Sequence, residues 1–103
     1  MTLTSKERAE LRAEAHHLSA IVHVGKEGLS RAIIQALNDA LRTRELVKVQ
    51  LGRPVDVSAR DAANELATAV HAEVVQVIGK TATLYRHNPE LERKKDALPP
   101  WRR

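Results

Sequence analysis

The stretch Glu73-Val74-Val75-Gln76-Val77-Ile78-Gly79-Lys80-Thr81-Ala82-Thr83-Leu84-Tyr85-Arg86 decides the fold. Two runs rich in β-branched residues, Glu73 to Ile78 and Thr81 to Arg86, flank the pair Gly79-Lys80. That pair suits a two-residue hairpin, with glycine supplying the positive φ of a type II′ turn. So short a loop forces its two strands to be antiparallel neighbours.

Upstream of the hairpin the connections are helical. Leu46-Val47-Lys48-Val49-Gln50-Leu51 alternates with period two, as a strand with one wet face does. Ala20-Ile21-Val22-His23-Val24 is a shorter strand that Gly25 stops. Ahead of it, Thr4-Ser5-Lys6-Glu7 reads as a capping box and predicts a helix carrying Arg8, Leu11, Arg12 and Ala15, ending near His16-His17. Ser30 can cap a second helix, with Ile33, Ile34, Leu37 and Leu41 on one apolar stripe. Gly52-Arg53-Pro54 is a break, and Ser58 with Asp61 starts a third helix whose inner face is Ala62, Leu66, Ala69 and Val70. Strands joined by helices run parallel with right-handed crossovers. The expectation is therefore a two-layer α/β domain, α-β-α-β-α-β-β, with a mixed four-stranded sheet.

The chain has 103 residues, 43% hydrophobic and 29% charged, which is one small domain of ordinary globular composition. No stretch approaches the roughly 18 consecutive apolar residues of a membrane span. The first twenty residues lack the apolar block of a signal peptide, so the expected address is the cytoplasm. Without cysteine there is no disulfide, thiolate metal site or thiol nucleophile. The net charge is +4, yet Arg86 to Arg103 alone carries six basic residues and three acids. A basic end on a nearly neutral body points to a polyanionic partner, because Lys and Arg gain affinity by displacing counterions from phosphates. With Asn88-Pro89, Pro99-Pro100 and no apolar period, this segment reads as a tail or irregular strap. The division is 1–86 for the domain and 87–103 for the tail. With no Phe, one Trp and one Tyr, the composition argues against a sheet that stacks bases on aromatic rings.

Catalytic constellations are missing. There is no G-x-S-x-G elbow, no H-E-x-x-H pair and no G-x-x-x-x-G-K-[ST] loop. No two of the five histidines sit at i, i+4, the spacing a helix-borne metal site uses. The expectation is a non-enzyme with no cofactor and no metal. The sharpest feature is Val24-Gly25-Lys26-Glu27-Gly28-Leu29-Ser30. Two glycines bracket two polar residues between a strand and a helix, so backbone can approach another molecule closely. The following helix points its free amides and positive dipole end at this loop, which favours phosphate. A G-x-x-G clamp on nucleic-acid backbone works this way in KH domains. A strand-to-helix loop also takes glycine for steric reasons alone. Lys48 on the polar side of its strand, Lys80 at the hairpin tip and Arg86 at the last strand's end add positive charge.

The residues also resemble a known family. Leu11-Arg12-Ala13-Glu14-Ala15-His16-His17-Leu18, Ile21 to Ser30, Glu45-Leu46-Val47-Lys48-Val49 and Val75 to Arg86 resemble successive blocks of the CRM domain (chloroplast RNA splicing and ribosome maturation). A chain with one copy and little else looks like the bacterial stand-alone YhbY type. The resemblance implies a fold like the C-terminal domain of translation initiation factor 3. It also implies RNA binding, with precursors of the large ribosomal subunit as the associated particle. Carried onto this chain, the loop is Gly25, Lys26, Glu27 and Gly28, and the basic positions are Lys48, Lys80 and Arg86. Members often carry a basic residue and a proline before the first strand, where Ser19-Ala20 stands here. Glu27 would repel a phosphate, which leaves Lys26 and backbone amides as the contacts.

The resulting expectation is an RNA-binding monomer, without membrane attachment, acting on ribosomal RNA or large-subunit precursors. Gly25, Lys26, Glu27, Gly28, Ser30, Arg31, Lys48, Lys80 and Arg86 form its RNA surface. Arg93, Lys94, Lys95, Arg102 and Arg103 in the tail supply attraction blind to sequence. The alternative is a protein-interaction module docking an acidic partner.

Overall fold

The computed structural model describes residues 3–25, 29–52 and 58–88. The element order is α1 (Ser5–Ala15), β1 (Ala20–His23), α2 (Arg31–Arg44), β2 (Leu46–Gln50), α3 (Ala59–Val70), β3 (Glu73–Ile78) and β4 (Thr81–Tyr85). This is the expected α-β-α-β-α-β-β. Each helix begins where a side chain relieves its orphan amides. The Thr4 hydroxyl accepts from the Glu7 amide at 3.1 Å while the Thr4 amide donates to Glu7 Oε1 at 2.9 Å, completing the box. The Ser30 and Ser58 hydroxyls accept from the amides of Ile33 and Asp61.

The sheet order is β1-β2-β4-β3. β1 runs parallel to β2, and β4 is antiparallel to both β2 and β3. Helix α2 links the parallel neighbours, and α3 carries the chain past β4 to the far edge. At the hairpin Ile78 pairs with Thr81 and Gly79 takes φ +58°, as a type II′ turn requires.

The period-two alternation of β2 sorts the sheet's two faces. Val47 and Val49 join Val22, Ala82 and Leu84 against Leu37 and Leu41 of α2 and Leu66 and Val70 of α3, forming the main core. On α3 the buried stripe is Ala62, Ala63, Leu66, Ala67 and Val70, whereas the expected Ala69 is exposed. The helix is turned so that Ala63 and Ala67 meet the sheet, and their small side chains allow close approach. The opposite face carries a second cluster, in which Leu3, Leu11 and Ala15 of the α1 region cover Leu46, Val75 and Tyr85. Arg8 fastens α1 there by donating to the Val74 carbonyl at 3.0 Å. At eleven residues, α1 covers only part of that face.

Glu45 joins α2 to β2 with φ +62° and no exposed surface. Its Oε2 accepts from the Asn88 amide at 2.6 Å and lies 3.9 Å from His87 Nδ1, while the Asn88 side chain donates to the Arg42 carbonyl. His87 and Asn88, assigned from sequence to the tail, are thus latched onto the domain.

Candidate nucleic-acid interface

One end of the sheet gathers the exits of β1 and β2 and the β3–β4 hairpin. The Val24 amide donates to the Gln50 carbonyl at 2.8 Å, and the Leu51 amide to the Lys80 carbonyl at 2.7 Å. Gly52 lies here with φ +65°, and a Cβ on it would stand 2.5 Å from the Val24 carbonyl oxygen. Only glycine fits there, for reasons internal to the fold.

Gly25 is different. It has no positive φ, and a Cβ would meet nothing within 4 Å among the described residues. The steric reading of a strand-to-helix glycine therefore applies to Gly52 and not to Gly25. Lys26, Glu27 and Gly28 lie outside the described residues. The chain re-enters at Leu29, and the Ser30 hydroxyl is committed to capping α2.

The first turn of α2 departs from the other two. Helix α1 has Glu7 and α3 has Asp61 there, as the positive end of a helix dipole favours. Helix α2 has no acid in its first turn and begins with the exposed Arg31. A cation at that end costs about 0.3–1 kcal/mol in helix stability, so helix formation does not account for Arg31. An anion seated beside it would reverse the sign.

Lys80 is exposed at the same end of the sheet. It sits in the turn just before β4, two places from β1 in the sheet order, which sets it roughly 10 Å from Gly25 at normal strand spacing. Lys48 is half-buried on the α1 face, facing away from α2, about 7 Å along β2 from Gln50.

Arg86 is not brought to this end. Leu46 pairs with Tyr85, so Arg86 lies at the far end of β4, roughly 17 Å from Thr81. Its guanidinium donates to Asn38 Oδ1 at 2.7 Å, the Val70 carbonyl at 2.9 Å and the Asn38 carbonyl at 3.1 Å. The cation thus ties α2 to the C-terminus of α3, where it also complements the dipole's negative end. Arg93, Lys94, Lys95, Arg102 and Arg103 lie outside the described residues.

A feature that sequence reasoning did not assemble surrounds Lys48. Beyond the C-terminus of α1 no described element covers the sheet, which forms a depression of 180 Å³ lined, among the described residues, by His16, Lys48, Gln76, Ile78, Thr81 and Thr83. Lys48 pairs with Thr83, which pairs with Gln76 across β3, so three polar side chains cross the sheet in one row. Finding that row requires the register, including the irregularity between Val74 and Gln76 that turns Gln76 to this face. Among the described residues no three His, Asp or Glu side chains are grouped as a metal would need. None of the described helices is long and apolar enough to cross a membrane.

Comparison with known proteins adds four findings. The family model for the CRS1 / YhbY (CRM) domain matches residues 3–86. The chain is 38% identical over 88 residues to YqeI of Bacillus subtilis, named a probable RNA-binding protein, covering 85% of this chain and 92% of that one. It is 33% identical over 90 residues to PA4753 of Pseudomonas aeruginosa, named likewise, with 87% and 86% covered. The solution structure of SAV1595 from Staphylococcus aureus superposes with a TM-score of 0.72 at 35% identity, covering 84% of this chain and 91% of that one.

Proposed function

The chain belongs to the CRS1 / YhbY (CRM) domain family, and on that premise we propose that it is an RNA-binding protein gripping RNA backbone at the Gly25 end of its sheet. Relatives that match it over nearly their whole length are named for RNA binding. The observation that carries the reading is the start of α2, where Arg31 stands at the positive dipole end that the other helices furnish with an acid. A phosphodiester there meets Arg31, the free amides of the first turn and a glycine at which a strand can come close. Lys26 belongs to the same contact, and Glu27 and Gly28 complete the loop. Lys80 extends the positive rim and Lys48 continues it onto the sheet face. The tail cations Arg93, Lys94, Lys95, Arg102 and Arg103 add salt-dependent attraction. Arg86 is left out of the contact surface because its donors are engaged by Asn38 and Val70.

The RNA proposed is ribosomal, within precursors of the large subunit, and the family membership supports this choice. The test is Gly25→Asp, which places a carboxylate beside the helix start at a position with room for a side chain. The variant is expected to melt like the parent yet bind RNA more than tenfold less tightly. On sucrose gradients of a lysate the parent is expected to sediment near the large subunit at low salt and to be released by high salt, with the variant at the top throughout. Equal RNA affinity in parent and variant would overturn the clamp, and a parent at the top at both salts would overturn the ribosomal assignment.

A further inference from the structure

The depression on the α1 face of the sheet has a composition of which the clamp uses only Lys48. Every polar side chain lining it can donate a hydrogen bond: the Lys48 ammonium, the Gln76 amide, the Thr81 and Thr83 hydroxyls and the His16 ring. Among the described residues no carboxylate lines it. Thr83 is 1% exposed and yet borders this space. Among the described residues no hydrogen bond or ion pair engages the side chains of Lys48, Gln76, Thr81 or Thr83. Several partly buried polar side chains elsewhere are committed, as with Arg8 to Val74 and Arg86 to Asn38. Thr83 is buried and Lys48, Gln76 and Thr81 are half-buried, so the row presents uncommitted donors to one depression, where acceptors from outside can displace water.

Apolar contact is available beside the donors. Ile78 is 61% exposed, the highest value among the large hydrophobic side chains described, and it forms one wall. At 180 Å³ the space is smaller than the roughly 300–1,000 Å³ of pockets that enclose drug-sized ligands. It is roomier than a lone phosphate needs and of a size for one planar ring system. A base-paired nucleotide cannot enter, because its Watson–Crick edge is occupied and its faces are stacked. A single unpaired base can, offering carbonyl and ring-nitrogen acceptors to the donors and one face to Ile78.

We infer that this depression is a subsite for one unpaired nucleobase of the bound RNA, recognised through Lys48, Gln76 and Thr83 and stacked on Ile78. The inference rests on the RNA-binding reading above and deepens it. The backbone clamp at Gly25 holds a strand without reading it, and the sheet face then selects RNA in which a base is free to leave the helix. The positive charge of Lys48, and of Lys80 at the nearby hairpin tip, matches the anionic strand that carries the base. The same charge disfavours the chain's own basic tail as occupant.

The test uses the full chain and three short RNA hairpins: perfectly paired, with a single-uridine bulge, and with an abasic residue at the bulge. The parent is expected to prefer the uridine bulge over the abasic bulge by roughly fivefold to tenfold, the lower end of what one stacked base contributes. Gln76→Ala with Ile78→Ala is expected to abolish that preference and leave affinity for the paired hairpin unchanged. Ile78→Tyr is expected to strengthen it, since an aromatic face stacks better. Both positions are at least partly exposed, so folding is retained and is checked by melting. Equal binding of uridine and abasic bulges by the parent would overturn the subsite while sparing the clamp. So would a uniform loss on all three hairpins in the double variant. Binding to none of them by the parent would overturn the clamp and the subsite with it.

Discussion

Replacing Arg86 with alanine separates a structural cation from a ligand-binding one. The side chain supplies three hydrogen bonds, to Asn38 Oδ1, the Asn38 carbonyl and the Val70 carbonyl, at 2.7, 3.1 and 2.9 Å. Hydrogen bonds from a charged donor are each worth about 1.5–3 kcal/mol net in a protein. Arg86 is only half-buried, so water replaces part of what is lost, and about 2–4 kcal/mol overall is a reasonable total. In a domain near 100 residues each kcal/mol moves Tm by about 4–8 °C, so Arg86→Ala is expected to lower Tm by on the order of 10–20 °C. Circular dichroism melts and urea titrations measure this, and an unchanged m-value with a lower midpoint is expected. Arg86→Lys keeps the charge but cannot fork to three acceptors, so it is expected to recover only part of the loss. RNA affinity, measured well below the variants' melting range, is expected to stay within twofold of the parent. An Arg86→Ala protein that melts within about 2 °C of the parent but binds RNA tenfold more weakly would refute the reasoning. The guanidinium would then be turned to RNA and not to the helices.

Two further outcomes follow from the backbone and the caps. Gly52→Ala is expected to destabilise by about 1–3 kcal/mol, since it combines a left-handed φ with a Cβ 2.5 Å from the Val24 oxygen. Gly25→Ala, with open space and ordinary φ, is expected to be neutral or slightly stabilising in the same urea titration. The carboxyl of Glu7 is held below its ordinary value near 4.5 by hydrogen bonds from the Thr4 backbone and side chain. A depressed carboxyl contributes stability that is present above the unfolded value and lost as pH falls through the folded one. Melts of the parent are therefore expected to lose an increment below about pH 4.5 that Thr4→Ala lacks, while Thr4→Ala costs about 1 kcal/mol at neutral pH. Parallel pH profiles for the two proteins would refute the link.

The parts of this fold legible in the chain are those whose causes lie within a few residues. Thr4, Ser30 and Ser58 cap their helices through amides three positions on. Gly79-Lys80 closes its hairpin because one glycine can take φ +58°. The limits of β3, Glu73–Ile78, match the sequence reading, and β4 falls one residue short of it at Tyr85. The alternation in β2 correctly turned Lys48 away from Val47 and Val49. Where distant segments chose between equivalent options, the reading ran out. Ala63 and Ala69 are both small and both helical, and only the angle at which α3 meets the sheet buries the first and exposes the second.

By itself, then, the sequence determined the element order, the mixed sheet and the family blocks, because caps, turn glycines and hydrophobic periods act locally. Tertiary structure alone decided which glycine the fold requires, Gly52 against Val24, and which it leaves open, Gly25. It also decided that Arg86 binds Asn38, 48 positions away, and that Lys48, Thr83 and Gln76 stand in one row. Those facts depend on strand register and on which ends of the sheet coincide. A side chain's charge is written in the chain, but whether it meets a carbonyl or water depends on elements packed against it from elsewhere.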